Sequence, residues 1–71
     1  MRLEFHEYLE GTYSKKDVRR MQIDGRDKLW IWSEHVGAVL RGGRDYTSIN
    51  VQGHWIWVTE SVKEVLEKLG E

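Results

Sequence analysis

Apolar and polar residues alternate along several short segments of the chain, a pattern typical of half-buried β-strands. Residues 1–9 show this pattern, although Glu7 interrupts the apolar face as a strand end or a bulge does. The polar residues 10–17 are predicted to form a loop. Residues 18–24 are predicted to form a second, less regular strand that ends at an Asp-Gly turn signal. The beginning of the chain therefore predicts two strands joined by a loop.

A β-hairpin is predicted over residues 47–58. Its first strand alternates, and Gln52-Gly53 fits a two-residue loop in which glycine supplies a positive φ. Because cross-strand partners share a face, this loop places Trp55 beside Asn50 on one side of the hairpin, and Trp57 lies on the same side. The opposite, apolar side consists of Ile49, Val51, Ile56 and Val58. This apolar side needs a cover.

The end of the chain has the features of a capped amphipathic helix. Ser61 and Glu64 have the spacing of a capping box, and Gly70 stands where a helix C′ glycine belongs. A single apolar stripe at helical spacing consists of Val62, Val65, Leu66 and Leu69. We expect this stripe to cover the apolar side of the hairpin.

The segment that follows Trp30-Ile31-Trp32 is consistent with either a strand or a helix. Gly37 weakens a helix, and the flanking sequence has the composition of strands. We therefore favour a tight turn at residues 33–35 followed by a strand, with a helix over residues 34–41 as the alternative. Gly42-Gly43 then predicts a further turn.

These elements predict an α+β fold in a single domain over residues 1–71. We expect a small antiparallel β-sheet of four to five strands with one C-terminal α-helix packed on one face.

A chain of this size buries only about 60% of its unfolded surface, so its stability is marginal. Without cysteine no disulfide can form, and three scattered histidines offer no metal-ligand spacing. Self-association is the remaining common source of stability.

Composition also limits the function classes. The chain has 11 Lys and Arg against 12 Asp and Glu, so no net positive field attracts polyanions. No apolar run approaches the length of about 18 residues that a membrane span needs, and no signal-peptide pattern opens the chain. We expect a cytoplasmic protein with no membrane interaction, no metal and no cofactor. The sequence contains no nucleophile motif and no phosphate-binding motif, so we do not expect an enzyme.

All four tryptophans lie in two copies of one tripeptide, Trp-Ile-Trp. If Ile31 points into the core, all four indoles lie on the face away from the helix, an unusually large apolar patch. The N-terminal half, a second copy of the chain or a different partner could cover this patch. The expected interface residues are Trp30, Trp32, Trp55, Trp57 and Tyr46.

A second set of candidates is basic and consists of Lys15, Lys16, Arg19, Arg20, Arg41 and Arg44. With exposed tryptophans available for stacking, these residues could contact an anion, a nucleotide or a nucleic acid. Asp17 reduces the positive charge of the first basic segment, and Asp45 reduces that of the second.

The favoured hypothesis is a small regulatory or interaction module that forms homo-oligomers and binds a protein partner, for example a phage-type inhibitor of a host factor. Nucleic-acid or nucleotide binding is the alternative.

The second half of the chain follows a strand–turn–strand–Gly–strand–helix pattern. The matching residues are Ile31 to Val39, Thr47 to Val51, Gly53, Val58 to Ser61 and Glu64 to Leu69. Over residues 29–69 this pattern resembles the small FlbD-type flagellar and swarming-motility proteins, and it is similar to small phage proteins and to the end of LytTR-type DNA-binding domains. Ser33 stands where the family usually has Asn. The resemblance implies a non-enzymatic regulatory or assembly role with no catalytic residues.

Overall fold

The structure, a computed structural model, describes residues 1–70. It has the predicted α+β fold with a C-terminal helix. Its five strands form two antiparallel sheets, of two and three strands, where the sequence predicted one, and a second helix precedes β2. The elements in chain order are β1 (Arg2–His6), α1 (Lys15–Asp24), β2 (Lys28–Trp32), a 3-10 turn (Ser33–His35), β3 (Val36–Arg41), β4 (Thr47–Val51), β5 (His54–Val58) and α2 (Val62–Lys68). Neither helix within residues 1–70 has the length and apolar character that a membrane crossing requires.

The two sheets are linked through the chain that follows β1. One sheet pairs β1 with β2, and the other has the order β3-β4-β5. Glu7 forms an antiparallel bridge with Val58. On either side of this bridge, the Tyr8 N–H donates to the Trp57 carbonyl at 2.9 Å and the Thr59 N–H donates to the His6 carbonyl at 2.8 Å. Glu7, which interrupts the apolar alternation, therefore lies where β1 ends and meets β5.

The hairpin has the predicted register. Asn50 pairs with Trp55, and Ser48 pairs with Trp57. Gln52 and Gly53 have φ values of 50° and 89°, as a two-residue hairpin loop with both central residues at positive φ requires. The prediction succeeded because the loop length alone fixes the register once the two strands are identified.

The prediction of a strand at residues 18–24 is wrong, because helix α1 covers Lys15–Asp24. The predicted loop at residues 10–17 is correct only for residues 10–14, because the helix begins at Lys15. Ser14 caps the helix by accepting a hydrogen bond from the Asp17 N–H at 3.2 Å. Gly25 ends it in the left-handed conformation with a φ of 75°. The Asp-Gly pair is therefore a helix end rather than a turn between strands. The single buried residue of α1 is Val18, so the helix adds little to the core.

The segment after the first Trp-Ile-Trp follows the favoured interpretation. A single 3-10 turn covers Ser33–His35, and β3 follows directly at Val36–Arg41. The alternative of a helix over residues 34–41 is wrong. Strand β3 pairs with β4, and the register shifts between Val36 and Ala38, which places Gly37 at the irregularity where a missing side chain is tolerated.

Helix α2 closes the core as predicted. The Ser61 hydroxyl accepts from the Glu64 N–H at 3.1 Å, which completes one half of the capping box. Gly70 has a φ of 85° just after the helix. The buried core consists of Phe5, Ile31, Ile49, Val58 and Val65. Ile31 therefore points inward from β2, the condition under which both Trp-Ile-Trp tripeptides present their indoles outward.

Candidate functional site: exposed aromatic residues and two basic segments

Trp55 and Trp57 point outward from β5, on either side of the inward-facing Ile56. Their cross-strand neighbours are Asn50 and Ser48, which are small and polar. These small neighbours leave much of each tryptophan accessible, and 50% of Trp55 and 47% of Trp57 are exposed. Leu40 pairs with Ser48 and lies on the same outward side of the sheet, also largely exposed.

Trp30 and Trp32 also point outward, but from the other sheet. They flank the buried Ile31, and their cross-strand partners on β1 are Glu4 and Arg2. The Arg2 guanidinium lies 4.5 Å from the centre of the Trp30 ring, a cation–π contact. About half of each indole remains exposed, 55% for Trp30 and 50% for Trp32.

The four indoles form two pairs on different sheets, not one group on the single sheet face that the sequence predicted. In residues 1–70 the contacts between aromatic rings join Tyr8, Tyr46 and Trp57 to one another, and none joins one Trp-Ile-Trp tripeptide to the other. Tyr46, the fifth predicted interface residue, is one of these tyrosines. Its ring centre lies 4.6 Å from that of Trp57.

Tyr8 completes this group, which we call the aromatic cluster (Tyr8, Tyr46 and Trp57). The Tyr8 and Tyr46 rings are stacked with centres 4.8 Å apart, and Tyr8 lies 6.5 Å from Trp57. Tyr8 was not among the predicted site residues. Its position on the polar face of the first strand was the available signal, because that face continues onto the outward side of β5 through the Glu7–Val58 bridge.

Two glycines hold Tyr46 in place. The Gly42 and Gly43 N–H groups both donate to the Tyr46 carbonyl, at 3.3 and 3.2 Å. A Cβ atom on Gly42 would lie 2.3 Å from the Tyr46 ring, and one on Gly43 would lie 2.7 Å from it. The predicted Gly42-Gly43 turn therefore exists because the backbone must pass directly over an aromatic ring.

The N-terminal segment covers the tryptophans only at one edge. Tyr8 and Thr12 line a shallow groove of about 260 Å³ beside Trp55 and Trp57. Since both indoles are still half exposed, intramolecular cover of the patch is partial. Of the three predicted routes, a second copy and a different partner are the two that would complete the cover.

The six predicted basic residues lie in two separate places. Lys15, Lys16, Arg19 and Arg20 are exposed on helix α1. Arg41 and Arg44 are exposed at the turn between β3 and β4 and line a groove of about 480 Å³, to which none of the four α1 residues contributes. Sequence proximity grouped each set correctly but did not reveal that Lys63, from α2, lies across this groove from the arginines.

A buried carboxylate lies between the two halves of the fold. Glu60 is only 6% exposed. One of its oxygens accepts from the His6 N–H at 3.0 Å, and the other lies 2.7 Å from the His6 Nδ1. The Thr47 hydroxyl donates to the Glu60 carbonyl at 2.7 Å. Sequence reasoning missed this pair because the two residues are far apart in the chain and neither belongs to a recognisable motif.

The environment of the aromatic cluster alters one pKa. The pKa of Tyr8 is raised above its ordinary value of 10.0. Desolvation of the hydroxyl is the largest cause, and the nearby Glu10 and Asp45 carboxylates and Tyr46 add to it.

Among residues 1–70 no group of three or more His, Cys, Asp or Glu side chains could hold a metal ion.

Comparison of the chain with protein-family models, with curated proteins and with solved structures finds no match. The resemblance of residues 29–69 to FlbD-type proteins accordingly stays a prediction.

Proposed function

We propose that this protein is a non-enzymatic interaction module that self-associates and binds a protein partner through its exposed tryptophans. The observation that carries the proposal is the exposure of all four indoles, each about half accessible at an outward strand position. Large apolar side chains in such clusters typically mark a contact surface. Tryptophan is also the residue type most enriched among the energetic anchors of protein interfaces.

The surroundings of the tryptophans support a protein partner. Interfaces typically combine an aromatic core that is depleted in charged residues with a surrounding polar rim. Trp55 and Trp57 have the uncharged Asn50 and Ser48 as cross-strand neighbours, and Leu40 extends the apolar surface across β4. This side of the sheet therefore has the composition of an interface core.

The alternative of nucleic-acid binding receives less support at this surface. Proteins that bind single strands combine stacking aromatic residues with a basic groove along the same path. Here the four basic residues of α1 lie on a helix, and Arg41 and Arg44 line a groove to which neither Trp55 nor Trp57 contributes. Trp55 and Trp57 themselves lie on a sheet beside uncharged residues. Arg2 is the one cation that lies over an indole in the described residues, and it faces Trp30 on the other sheet.

Trp55→Ser is the sharpest test, because Trp55 is half exposed and lies outside the aromatic cluster. We expect light scattering and sedimentation to show an oligomer for the wild type and a shift towards monomer for Trp55→Ser. The pair Trp30→Ser and Trp32→Ser, on the other sheet, tests whether both Trp-Ile-Trp surfaces participate. Ile23→Ser, which removes a largely exposed apolar residue from α1, is the matched control and should leave the mass unchanged.

The self-association part of the proposal is wrong if the wild type is monomeric at all accessible concentrations. The partner part is tested separately by retention of proteins from the native host on wild-type, Trp55→Ser and Ile23→Ser columns. A specific partner should be lost with Trp55→Ser and kept with Ile23→Ser. Equal retention on all three columns would contradict the role of Trp55 as a binding anchor.

A further inference from the structure

A groove of about 480 Å³ lies between the turn that joins β3 to β4 and the turn that joins β5 to α2. Three cations from two parts of the chain line it, Arg41 and Arg44 from the β3–β4 connection and Lys63 from α2. None of the three has a carboxylate within ion-pair distance among residues 1–70. Their charges are therefore not compensated by a close partner in that part of the chain.

Two acidic residues, Glu60 and Asp45, also line the groove. Glu60 is buried, and each of its carboxylate oxygens is engaged by His6. Asp45 lies at the border with a neighbouring groove that Tyr8 also lines, close enough to Tyr8 to raise its pKa. Neither carboxylate forms an ion pair with the arginines, so the groove keeps a positive excess on its rim.

The geometry favours a compact anionic group over a flat aromatic one. Tyr46 also lines the groove, but its ring is already in contact with Tyr8 at 4.8 Å and with Trp57 at 4.6 Å. Gly42 and Gly43 crowd the same ring. Because the Tyr46 ring has these neighbours, it offers little surface on which a base could stack.

We propose that this groove binds a phosphate group through Arg41, Arg44 and Lys63. Guanidinium groups present several N–H donors in a plane and match the oxygens of phosphate in pairs. The exposed hydroxyl of Thr59, which also lines the groove, is a further donor. The site would take either inorganic phosphate or the phosphate of a small ester, since the groove has room beyond a single phosphate group. This inference is independent of the proposed tryptophan interface.

The test is NMR titration of the full chain with sodium phosphate and, separately, with AMP, against sodium chloride at matched ionic strength. We expect both phosphates to shift the amides of residues 41–46 and 59–63, and chloride to leave them unchanged. In the double variant Arg41→Gln and Arg44→Gln, both affinities should fall about tenfold or more, as expected for the loss of charge-assisted hydrogen bonds. Lys63→Gln, from the other side of the groove, should weaken binding independently.

The control is the double variant Lys15→Gln and Arg19→Gln, which removes the same charge from α1 and should retain the wild-type affinity. An equal loss in both double variants would show attraction by overall charge and would overturn the proposal. So would the absence of phosphate shifts at the groove amides in the wild type. If AMP and phosphate bind equally well, the group recognised is the phosphate alone. Tighter binding of AMP indicates a phosphate ester as the ligand.

Discussion

Tyr8 and Tyr46 stack with their ring centres 4.8 Å apart and their planes inclined by 27°. Tyr8 follows β1 and Tyr46 precedes β4, so this contact fastens the N-terminal segment to the turn between β3 and β4. Trp57 from β5 lies 4.6 Å from Tyr46 and is therefore held by the same group. Half of Trp57 is exposed nonetheless, so an indole that packs against Tyr46 on one side is accessible to a partner on the other.

Replacing Gly42 with Ala should destabilise the fold through this cluster. The new Cβ would lie 2.3 Å from the Tyr46 ring and 2.7 Å from the Ser48 hydroxyl, so the ring must move. We expect the free energy of unfolding to fall by about 1–3 kcal/mol, the usual cost of overpacking. Urea denaturation of the wild type and of Gly42→Ala measures this change in the free energy of unfolding.

Gly37→Ala is the control for this substitution. At Gly37 the nearest atom to a new Cβ is the Asn50 Oδ1 at 3.5 Å, an ordinary contact. Its effect should stay within about 0.5 kcal/mol. Equal effects of the two substitutions would contradict the role assigned to the Gly42–Tyr46 contact.

Because the pKa of Tyr8 is raised, the free energy of unfolding depends on pH in the alkaline range. Since the fold favours the neutral phenol, the unfolded chain loses this proton first, near the ordinary value of 10.0. The contribution of Tyr8 is thus fully present below pH 10 and is lost as the pH rises through its folded pKa. Urea denaturation from pH 8 to 11 should show a fall in stability that is smaller in Tyr8→Phe.

NMR of the tyrosine ring carbons gives a direct check on Tyr8. Its titration midpoint in the folded chain should lie above 10.0, because desolvation is the largest cause of the shift and the Glu10 and Asp45 carboxylates add to it. A midpoint at or below the ordinary value would contradict the raised pKa of Tyr8 and its assigned causes.

His6 and Glu60 should be energetically coupled. The buried Glu60 accepts one hydrogen bond from the His6 backbone N–H, and its other carboxylate oxygen lies 2.7 Å from the His6 Nδ1. Glu60→Ala should cost about 1–3 kcal/mol, because it leaves the His6 N–H without its acceptor. In a double-mutant cycle with His6→Ala, urea denaturation should give a coupling energy of about 0.5 kcal/mol or more. Strict additivity would show that the contact does not stabilise the fold.

Helix α1 should open more readily than the sheets. Its single buried residue is Val18, and the Ser14 cap is its defined start. Ser14→Ala should therefore speed amide hydrogen exchange throughout Lys15–Asp24, in line with a cap worth about 1 kcal/mol. Exchange in β4 and β5 should not change. Acceleration of both regions by the same factor would show that α1 unfolds only together with the sheets.

Sequence patterns succeeded where local rules determine the structure and failed where they do not. The hairpin at Gln52-Gly53 and the helix behind Ser61 follow from loop length and capping. Residues 15–24 contain too few apolar positions to separate a helix from an irregular strand. Ser14 was the overlooked signal, because its hydroxyl and Asp17 form the helix cap.

The sequence by itself determined the class of fold, the outward position of Trp55 and Trp57 and the register that puts them there. These follow from alternation and loop geometry, which act between near neighbours. Only the tertiary structure decided that Tyr8 joins Tyr46, that Glu60 holds His6 and that Lys63 lies across a groove from Arg41 and Arg44. Each of these contacts links residues that are distant in the chain. Only the packing of α2 and of the β1–β2 sheet against the three-stranded sheet brings them together.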